Sequence, residues 1–492
     1  MQLKYPTGPT SFNPRKSQYR VYGSSEASHR QTHIQCITAT STIIELNRSR
    51  KWRIPSQTPS SYPAASCFQI GYPRYLLPPP KKPQHSSNTF ETGSNGRTNV
   101  QKNHPDPLQP AYEKWSSGGW GSILTGNVQV DINHLGSPFD PALHGEYSSA
   151  ESNTEVLARW KTYACSSQKH GTPTLVQLCH PGRQSFRVAG KRGIFASSVA
   201  PSAVPISVGD SWIEKIIAAL AWSKPREMTT AEVETTIARF VDAARLMADA
   251  GFAGIELHGA HGYLIDQFLS GKTNNRTDIY GGTPQKRARF ILEIIRQTRA
   301  VVPPKFAIGI KLNSADHDSS TFEETMTQIA LLVDAGIDFM EVSGGTYEDP
   351  RMMGYGGGKI ERGGGAKSER TAAREAFFLS FAHEVRARHP DLCLMLTGGF
   401  RSRAGAVAAI NDGACDLIGI GRPAAINPSL PHLLLDEGVE ECNAVLRLEK
   451  VPMPWYVGFL PRNLVGAGAE STYYALQIQR FAKGLATCLP GL

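Results

Sequence analysis

The chain has 492 residues, with 52 Lys and Arg against 43 Asp and Glu, and its formal charge is +9. A content of 40% apolar residues is enough to bury a sizeable core, which excludes wholesale disorder. No apolar run approaches the ~20 residues that span a bilayer, so an integral membrane protein is excluded as well.

The first part of the chain, residues 1–100, is a basic segment that we predict to be mostly disordered. It holds 13 Lys and Arg but only three acids, whereas residues 101–492 carry a net charge of −1. Its composition resembles that of a mitochondrial transit peptide, but Pro6, Pro9 and Pro14 would break the amphipathic helix that such a peptide needs. A disordered tail is therefore the favoured interpretation, and residues 101–492 form the predicted folded domain.

The eight cysteines are scattered along the chain, without a CxxC pair. This spacing argues against a disulfide framework or a zinc finger and fits a reducing compartment. No apolar stretch typical of a signal peptide follows Met1. We therefore expect a cytoplasmic protein without a metal site.

Helix and strand signals alternate from Tyr112 to the C-terminus. Three times, a helix closed by a glycine (Gly251, Gly336 or Gly413) precedes a short apolar strand and then a polar or glycine-rich loop. Seven strands in series, alternating with helices, indicate a parallel sheet and favour a closed (β/α)₈ TIM barrel over an open doubly wound sheet. The predicted strands cover residues 121–128, 174–179, 255–258, 306–312, 339–343, 393–397 and 417–420.

The most informative motif contains His258, His261 and Tyr263 at the end of a predicted strand. Two imidazoles three residues apart can point at one ligand oxygen, and a tyrosine two positions later can reach the other side of the same ligand. Such a trio suits polarising a carbonyl and donating a proton. One alternative is a zinc pair, although no third ligand lies at a suitable spacing. The other alternative is that the two histidines only form hydrogen bonds within a loop and bind no ligand.

Further motifs surround this trio in the order 124–127 (LTGN), 177–184 (QLCHPGRQ), 224–229 (KPREMT), 274–282 (NNRTDIYGG), 310–316 (IKLNSAD), 343–345 (SGG), 397–401 (TGGFR) and 418–423 (IGIGRP). Together they resemble the Old Yellow Enzyme family, FMN-dependent NAD(P)H:flavin oxidoreductases on a (β/α)₈ barrel. The resemblance runs from about Tyr112 to the C-terminus. The detailed pattern of these motifs is most similar to that of the fungal relatives of the thermophilic-like branch.

The resemblance implies a place for FMN. Gln177 would hydrogen-bond the pyrimidine edge of the flavin, and Gly126 would let the ring lie against backbone. Lys311 would place a cation near flavin N1 and the C2 carbonyl, where negative charge develops on reduction. The alternative for Lys311 is a salt bridge at the end of the barrel.

Four residues after the last two strands indicate a phosphate site. Barrel enzymes commonly hold a phosphate there, on backbone N–H groups and an arginine. The residues are Gly398, Gly399, Gly421 and Arg422. For each glycine motif taken alone, a tight turn explains the sequence equally well.

The resemblance also implies the reaction, in which NAD(P)H reduces the flavin and an α,β-unsaturated carbonyl compound then accepts hydride. His258 and His261 would hold the carbonyl oxygen of that compound, and Tyr263 would protonate its Cα. The expected partner is an enone-type small molecule, with no nucleic acid and no membrane. The sequence leaves a homo-oligomer open.

One part of the family pattern is missing. Relatives carry a first barrel strand just before the segment that begins here at Tyr112, and residues 82–111 contain no such run. Either a segment of 1–100 substitutes for that strand or the N-terminal sequence is not a functional version of it, as a mistranslated exon would produce. A barrel without one of its strands cannot close.

Three further interpretations follow from these observations. The missing strand allows a degenerate paralogue that binds FMN weakly and has no catalytic activity. The basic residues of 1–100 allow nucleic-acid binding, although they are dispersed and no binding motif accompanies them. The glycine-rich residues 354–365 are interpreted either as a mobile loop over the site or as a flexible linker.

Overall fold

The computed structural model describes residues 108–138, 140–143, 150–209, 211–314, 319–344, 379–449, 451–452 and 462–490. The predicted disordered segment 1–100 and the glycine-rich loop 354–365 lie outside these residues.

Eight of the ten described strands form one parallel sheet. Its order is β1-β3-β6-β7-β8-β9-β10, with β2 also paired to β3, and a separate ribbon joins β4 to β5. The strands are β1 (Ile123–Leu124), β2 (Val128–Gln129), β3 (Thr174–Cys179), β4 (Val199–Ala200), β5 (Arg226–Glu227), β6 (Gly254–Gly259), β7 (Ala307–Asn313), β8 (Phe339–Ser343), β9 (Cys393–Thr397) and β10 (Leu417–Gly419).

The first predicted strand is interrupted in the structure. β1 and β2 pair with successive parts of β3, so they form one barrel stave with a break between them. At the break, the backbone N–H of Gln177 donates to Thr125 Oγ1 at 3.0 Å, and a side chain thus replaces a backbone carbonyl in the ladder. The other six predicted strands are confirmed to within a residue or two at their ends.

Helices pack around the outside of the sheet. The signals at their ends agree with the sequence, since Thr229 and Glu232 form a capping box and Gly251, Gly336 and Gly413 all have positive φ. The described helices are α1 (Gln109–Ser116), α2 (Ala150–Ser167), α3 (Trp212–Ala221), α4 (Thr230–Ala250), α5 (Leu264–Leu269), α6 (Pro284–Val301), α7 (Ser319–Asp334), α8 (Arg403–Asn411), α9 (Arg422–Ile426), α10 (Leu430–Leu435) and α11 (Arg462–Ala482).

Alternation along the strands separates the core from the site. On β6, Ile255 and Leu257 belong to the large hydrophobic core shared with the helices, so Glu256 and His258 point to the other face, inside the barrel. The lowest inner layer is apolar, a cluster that includes Leu175, Phe339 and Met395. The polar side chains therefore lie above this layer, towards the carboxyl ends of the strands, where barrel enzymes bind their ligands.

The parallel sheet with surrounding helices confirms the predicted TIM-barrel class. We call the place between the two end strands of the described sheet, where the missing first strand is expected, the seam. Within the described residues the sheet runs from β1 to β10 and no strand pairs with both. A first stave would lie between these two. Among the same residues, no helix combines the length and apolar character needed to cross a bilayer.

Candidate active site

The structure brings the three residues of the predicted trio together at the carboxyl end of β6. The ring centroid of His258 lies 5.0 Å from that of His261 and 4.5 Å from that of Tyr263, and all three side chains are buried. Asn127 Nδ2 donates to Tyr263 Oη at 3.0 Å, which ties the tyrosine to the loop between β1 and β2. Two imidazoles and a phenol thus share one buried corner of the barrel mouth.

The hydrogen bonds assign the protons of the two histidines. Burial lowers the pKa of His258 well below its ordinary value, and burial with the Lys311 charge lowers the pKa of His261 to about 3, so both rings are neutral. The Ala260 N–H donates to His258 Nδ1 at 3.4 Å, which leaves the His258 proton on Nε2, 3.3 Å from His261 Nδ1. His261 then carries its proton on Nε2, 3.0 Å from Ser343 Oγ. Both histidines are therefore Nε2–H donors.

A second chain of hydrogen bonds holds the backbone of His261. This residue has a φ of +61°, in the left-handed region that side chains other than glycine seldom adopt. Its N–H donates to Asn313 Oδ1 at 3.2 Å, and Asn313 Nδ2 donates to Asp266 Oδ2 at 2.9 Å. Asp266 also accepts from the Gly262 N–H at 2.7 Å, and burial raises its pKa to about 6. These contacts fix the ring where it meets His258.

Lys311 lies between two buried carboxyl groups. Its Nζ is 2.7 Å from Glu341 Oε2 and 3.3 Å from Glu256 Oε2, and all three side chains are fully buried. Gln177 Nε2 donates to the same oxygen of Glu256. Burial, and then the neighbouring charge of Glu341, raise the pKa of Glu256 well above its ordinary value. With one proton on the carboxyl pair the cluster is neutral, and the salt bridge considered for Lys311 is present.

The glycines predicted to hold phosphate lie at the ends of two neighbouring strands. Gly398 and Gly399, with φ of 140° and 84°, follow β9, while Gly421 precedes Arg422 at the start of α9. The guanidinium of Arg422 donates to Glu470 Oε2 at 2.8 Å, so a phosphate there would share this donor with a buried carboxylate. The backbone N–H of Gly126 donates to Tyr112 Oη at 2.9 Å, at the end of β1.

The residues present fit a flavin mononucleotide. Thr397 Oγ1, at the end of β9, is a buried oxygen without a hydrogen-bond partner among the described residues. It lies beside Gly398 and Gly399, where a polar group of a ligand would satisfy it. Gln177 and Lys311 supply donors for a ring, and Arg422 supplies one for a phosphate.

A charged cluster around Asp131 lies beside this site, at the end of β3. His134 Nδ1 is 2.8 Å, Arg239 Nη1 2.6 Å and His180 Nε2 3.8 Å from Asp131 Oδ2. Burial alone would raise the pKa of Asp131, but its hydrogen bonds with His134 and His180 hold it well below the ordinary value. Asp131, His134 and His180 lie close enough together to hold a metal ion. The guanidinium of Arg239, however, already forms an ion pair with the Asp131 carboxylate.

Sequence reasoning missed several side chains of the site. Ser343, Asn313 and Asp266 orient His261, and Asn127 orients Tyr263. Gln184 Nε2 also donates to the carbonyl of His261 at 2.7 Å. Apart from Asp266, which lies on α5, their positions at strand ends or within the family-like motifs were the available signal, but a single sequence does not show which polar groups meet.

Comparison with known sequences gives a consistent result. The model of the NADH:flavin oxidoreductase / NADH oxidase family matches residues 94–438. The NADH-dependent flavin oxidoreductase of Talaromyces variabilis is 41% identical over 376 residues, which cover 76% of this chain and 88% of the relative. That of Neonectria sp. (strain DH2) is 44% identical over 378 residues, and the chain spans 48% of its length, about half.

Solved structures share the fold. Morphinone reductase has a TM-score of 0.55 at 22% identity, with 80% of this chain and 89% of that chain covered. A complex of 2-naphthoyl-CoA reductase has a TM-score of 0.57 at 24% identity, with 76% of this chain and 54% of that chain covered. Both confirm the barrel fold.

Proposed function

We infer the function of this chain from the family to which it belongs, the NADH:flavin oxidoreductase / NADH oxidase family, which is the Old Yellow Enzyme family that its motifs resemble. The proposed function is that of an FMN-dependent oxidoreductase that uses NADH to reduce the C=C bond of α,β-unsaturated carbonyl compounds. Family membership confirms the expected cofactors, FMN and a nicotinamide reductant. The choice of NADH follows the names of the fungal relatives. FMN, when bound, supplies the hydride that the substrate receives.

The observation that carries the proposal is the pair of neutral Nε2–H donors beside a tyrosine. A substrate carbonyl oxygen that accepts from His258 and His261 loses electron density, which makes its β-carbon a better hydride acceptor. The Nε2–H of His258 turns from His261 Nδ1, 3.3 Å away, to that oxygen, and the Nε2–H of His261 is shared between that oxygen and Ser343 Oγ, 3.0 Å away. Tyr263, held through its Oη by Asn127, then gives its proton to Cα.

The remaining predicted residues act on the cofactor in this proposal. Gln177 and Lys311 would hold the flavin ring, and the single negative charge shared by Glu256 and Glu341 would balance the charge of Lys311. Gly126 would give the ring room against the backbone. Gly398, Gly399, Gly421 and Arg422 would hold the phosphate.

The test combines flavin uptake, turnover and ligand binding on the purified full chain. We expect the protein to bind added FMN and to oxidise NADH with loss of 2-cyclohexenone. His258→Ala should weaken the binding of the phenolic ligand 4-hydroxybenzaldehyde and raise the barrier to turnover by about 2.7–4 kcal/mol if the pair acts as an oxyanion hole. His383→Ala, on an exposed histidine paired with Asp412, is the matched control.

Two results would contradict the proposal. A colourless protein that takes up no added FMN fits the degenerate paralogue instead. Unchanged affinity for the phenol in His258→Ala, with normal flavin binding, would remove the assigned role of the histidine pair.

A further inference from the structure

One part of the surface collects most of the exposed apolar side chains. Nine large hydrophobic residues are strongly exposed among the residues that the structure describes, and six of them fall between positions 188 and 220. They are Val188, Ile194, Phe195, Trp212, Ile216 and Leu220, which we call the apolar patch. Such a concentration on one surface marks an interaction site more often than scattered exposure does.

The patch is continuous. Trp212, Ile216 and Leu220 recur every four residues on α3, so they line one face of that helix. Arg187 joins this helix to the loop that carries the other three, because its Nε donates to the Ala219 carbonyl at 3.0 Å and its Nη1 to the Ile194 carbonyl at 3.4 Å. The opposite face of α3 is covered, with Ala218 and Trp222 packed in a small core.

Positively charged residues lie in the same two segments as the patch. Lys191 and Lys215 are exposed, and Arg187 is half-buried beside them. The helix α3 also carries one carboxylate, that of Glu214, which accepts from the N–H and the hydroxyl of Ser211 at 3.0 and 2.8 Å, and the cations outnumber it. The patch therefore offers aromatic and aliphatic groups framed by cations, which complements an anionic partner.

We propose that the apolar patch binds the surface of a membrane that contains anionic lipids. Phe195 is 88% and Trp212 71% exposed, so both protrude, and protruding side chains enter the headgroup region of a bilayer without needing a matching groove. The cations around them attract acidic headgroups. A second copy of this chain fits the patch less well, because it would bring the same cations to the contact. An acidic protein also fits less well, because it would need pockets for the protruding rings. This contact is peripheral and differs from a membrane span.

The test measures co-sedimentation of the full chain with vesicles of phosphatidylcholine alone or mixed with phosphatidylserine. We expect binding to the mixed vesicles, weakened at least about tenfold in the double variant Phe195→Ser/Trp212→Ser, because each buried aromatic side chain contributes more than one factor of ten. Val301→Ser/Leu485→Ser removes two exposed apolar side chains outside the patch and should bind as the wild type does. The basic residues 1–100 are the same in all variants, so their contribution cancels.

A second readout locates the insertion. Brominated lipids quench tryptophan fluorescence, and Trp212→Phe, which keeps an aromatic ring, should lose the part of the quenching due to this residue while the protein still sediments with vesicles. Equal vesicle binding by wild type and the Phe195→Ser/Trp212→Ser variant would overturn the proposal. Weaker binding to the mixed vesicles is also expected of Lys191→Gln/Lys215→Gln, because these cations attract the acidic headgroups. Self-association in sedimentation velocity that needs the patch, without vesicle binding, would assign the patch to a second copy.

Discussion

A single hydroxyl, that of Ser343, determines how His261 presents its proton. Ser343 Oγ accepts from His261 Nε2 at 3.0 Å, at the end of β8. Without it, the imidazole has no partner on that side and is free to adopt the other tautomer, which would place an acceptor where the proposed substrate oxygen lies. The residue thus positions a donor without touching the substrate.

We expect Ser343→Ala to weaken the binding of 4-hydroxybenzaldehyde by about fivefold, the value of one hydrogen bond of about 1 kcal/mol. Ser343→Thr keeps the hydroxyl and should restore most of the affinity. Absorbance titration of the flavin-loaded protein measures both. Equal affinity in the alanine variant and the wild type would show that the serine does not orient His261.

Asp266 makes the stability of the fold depend on pH. Burial raises its pKa to about 6 from 3.8, so between these values the folded chain holds a proton that the unfolded chain has released. Stability therefore falls as the pH rises through this window, and the loss is complete above pH 6. Asp266→Asn does not titrate but can still accept the hydrogen bonds of Gly262 and Asn313.

From pH 5 to pH 7 we expect the free energy of unfolding of Asp266→Asn to rise by about 1 kcal/mol relative to the wild type. Urea unfolding at a series of pH values measures this difference. Asp242→Asn, at a half-exposed surface position, controls for the change in net charge. A difference that stays constant over the range would show that Asp266 is ionised in the folded state throughout.

At the scale of helices and strands, the sequence predicted more of the fold than of the site. The apolar run around Ile255 and Leu257 identifies a strand because those side chains are packed against helices. Glu256 sits in the same run, but nothing local shows that it meets Lys311 from β7. Strand positions follow from local pattern, whereas pairs of buried charges depend on register between strands that are distant in sequence.

The packing of β7 against β8 shows how register constrains one residue. Gly309 pairs with Phe339, and a Cβ on Gly309 would lie 2.0 Å from the phenylalanine ring. The ring therefore occupies the space that a side chain at position 309 would need. Phe339 belongs to the lowest inner layer of the barrel, so it cannot turn outward without opening that layer.

We expect Gly309→Ala to lower the free energy of unfolding by about 1–3 kcal/mol through overpacking. Gly309→Ala/Phe339→Leu should regain part of this loss relative to the sum of the single changes, because the smaller side chain makes room. Gly193→Ala, where a Cβ meets nothing within 4 Å, is the control. Additive effects in the double variant would contradict the assigned contact.

At the scale of the whole molecule, the seam between β1 and β10 decides whether the barrel closes. Within the described residues, these two strands are the ends of the sheet. In the family pattern a first strand would lie between them, and residues 82–111 contain no run that matches it. Gly126 and Gly421, which we propose bind the flavin, follow the strands that flank this seam, so closure and cofactor binding should change together.

A chimera tests this coupling. In it, residues 1–107 are replaced by the part of the Talaromyces variabilis relative that precedes its matched region. A strand paired on both sides adds backbone hydrogen bonds of about 0.5–1.5 kcal/mol each, so we expect a higher free energy of unfolding and tighter FMN binding than in the full natural chain. The same replacement with a scrambled order of residues should give neither gain. If the chimera and the natural chain bind FMN equally tightly and unfold at the same urea concentration, a segment of 1–107 already supplies the first stave. The basic N-terminal sequence would then be a working substitute for the family strand.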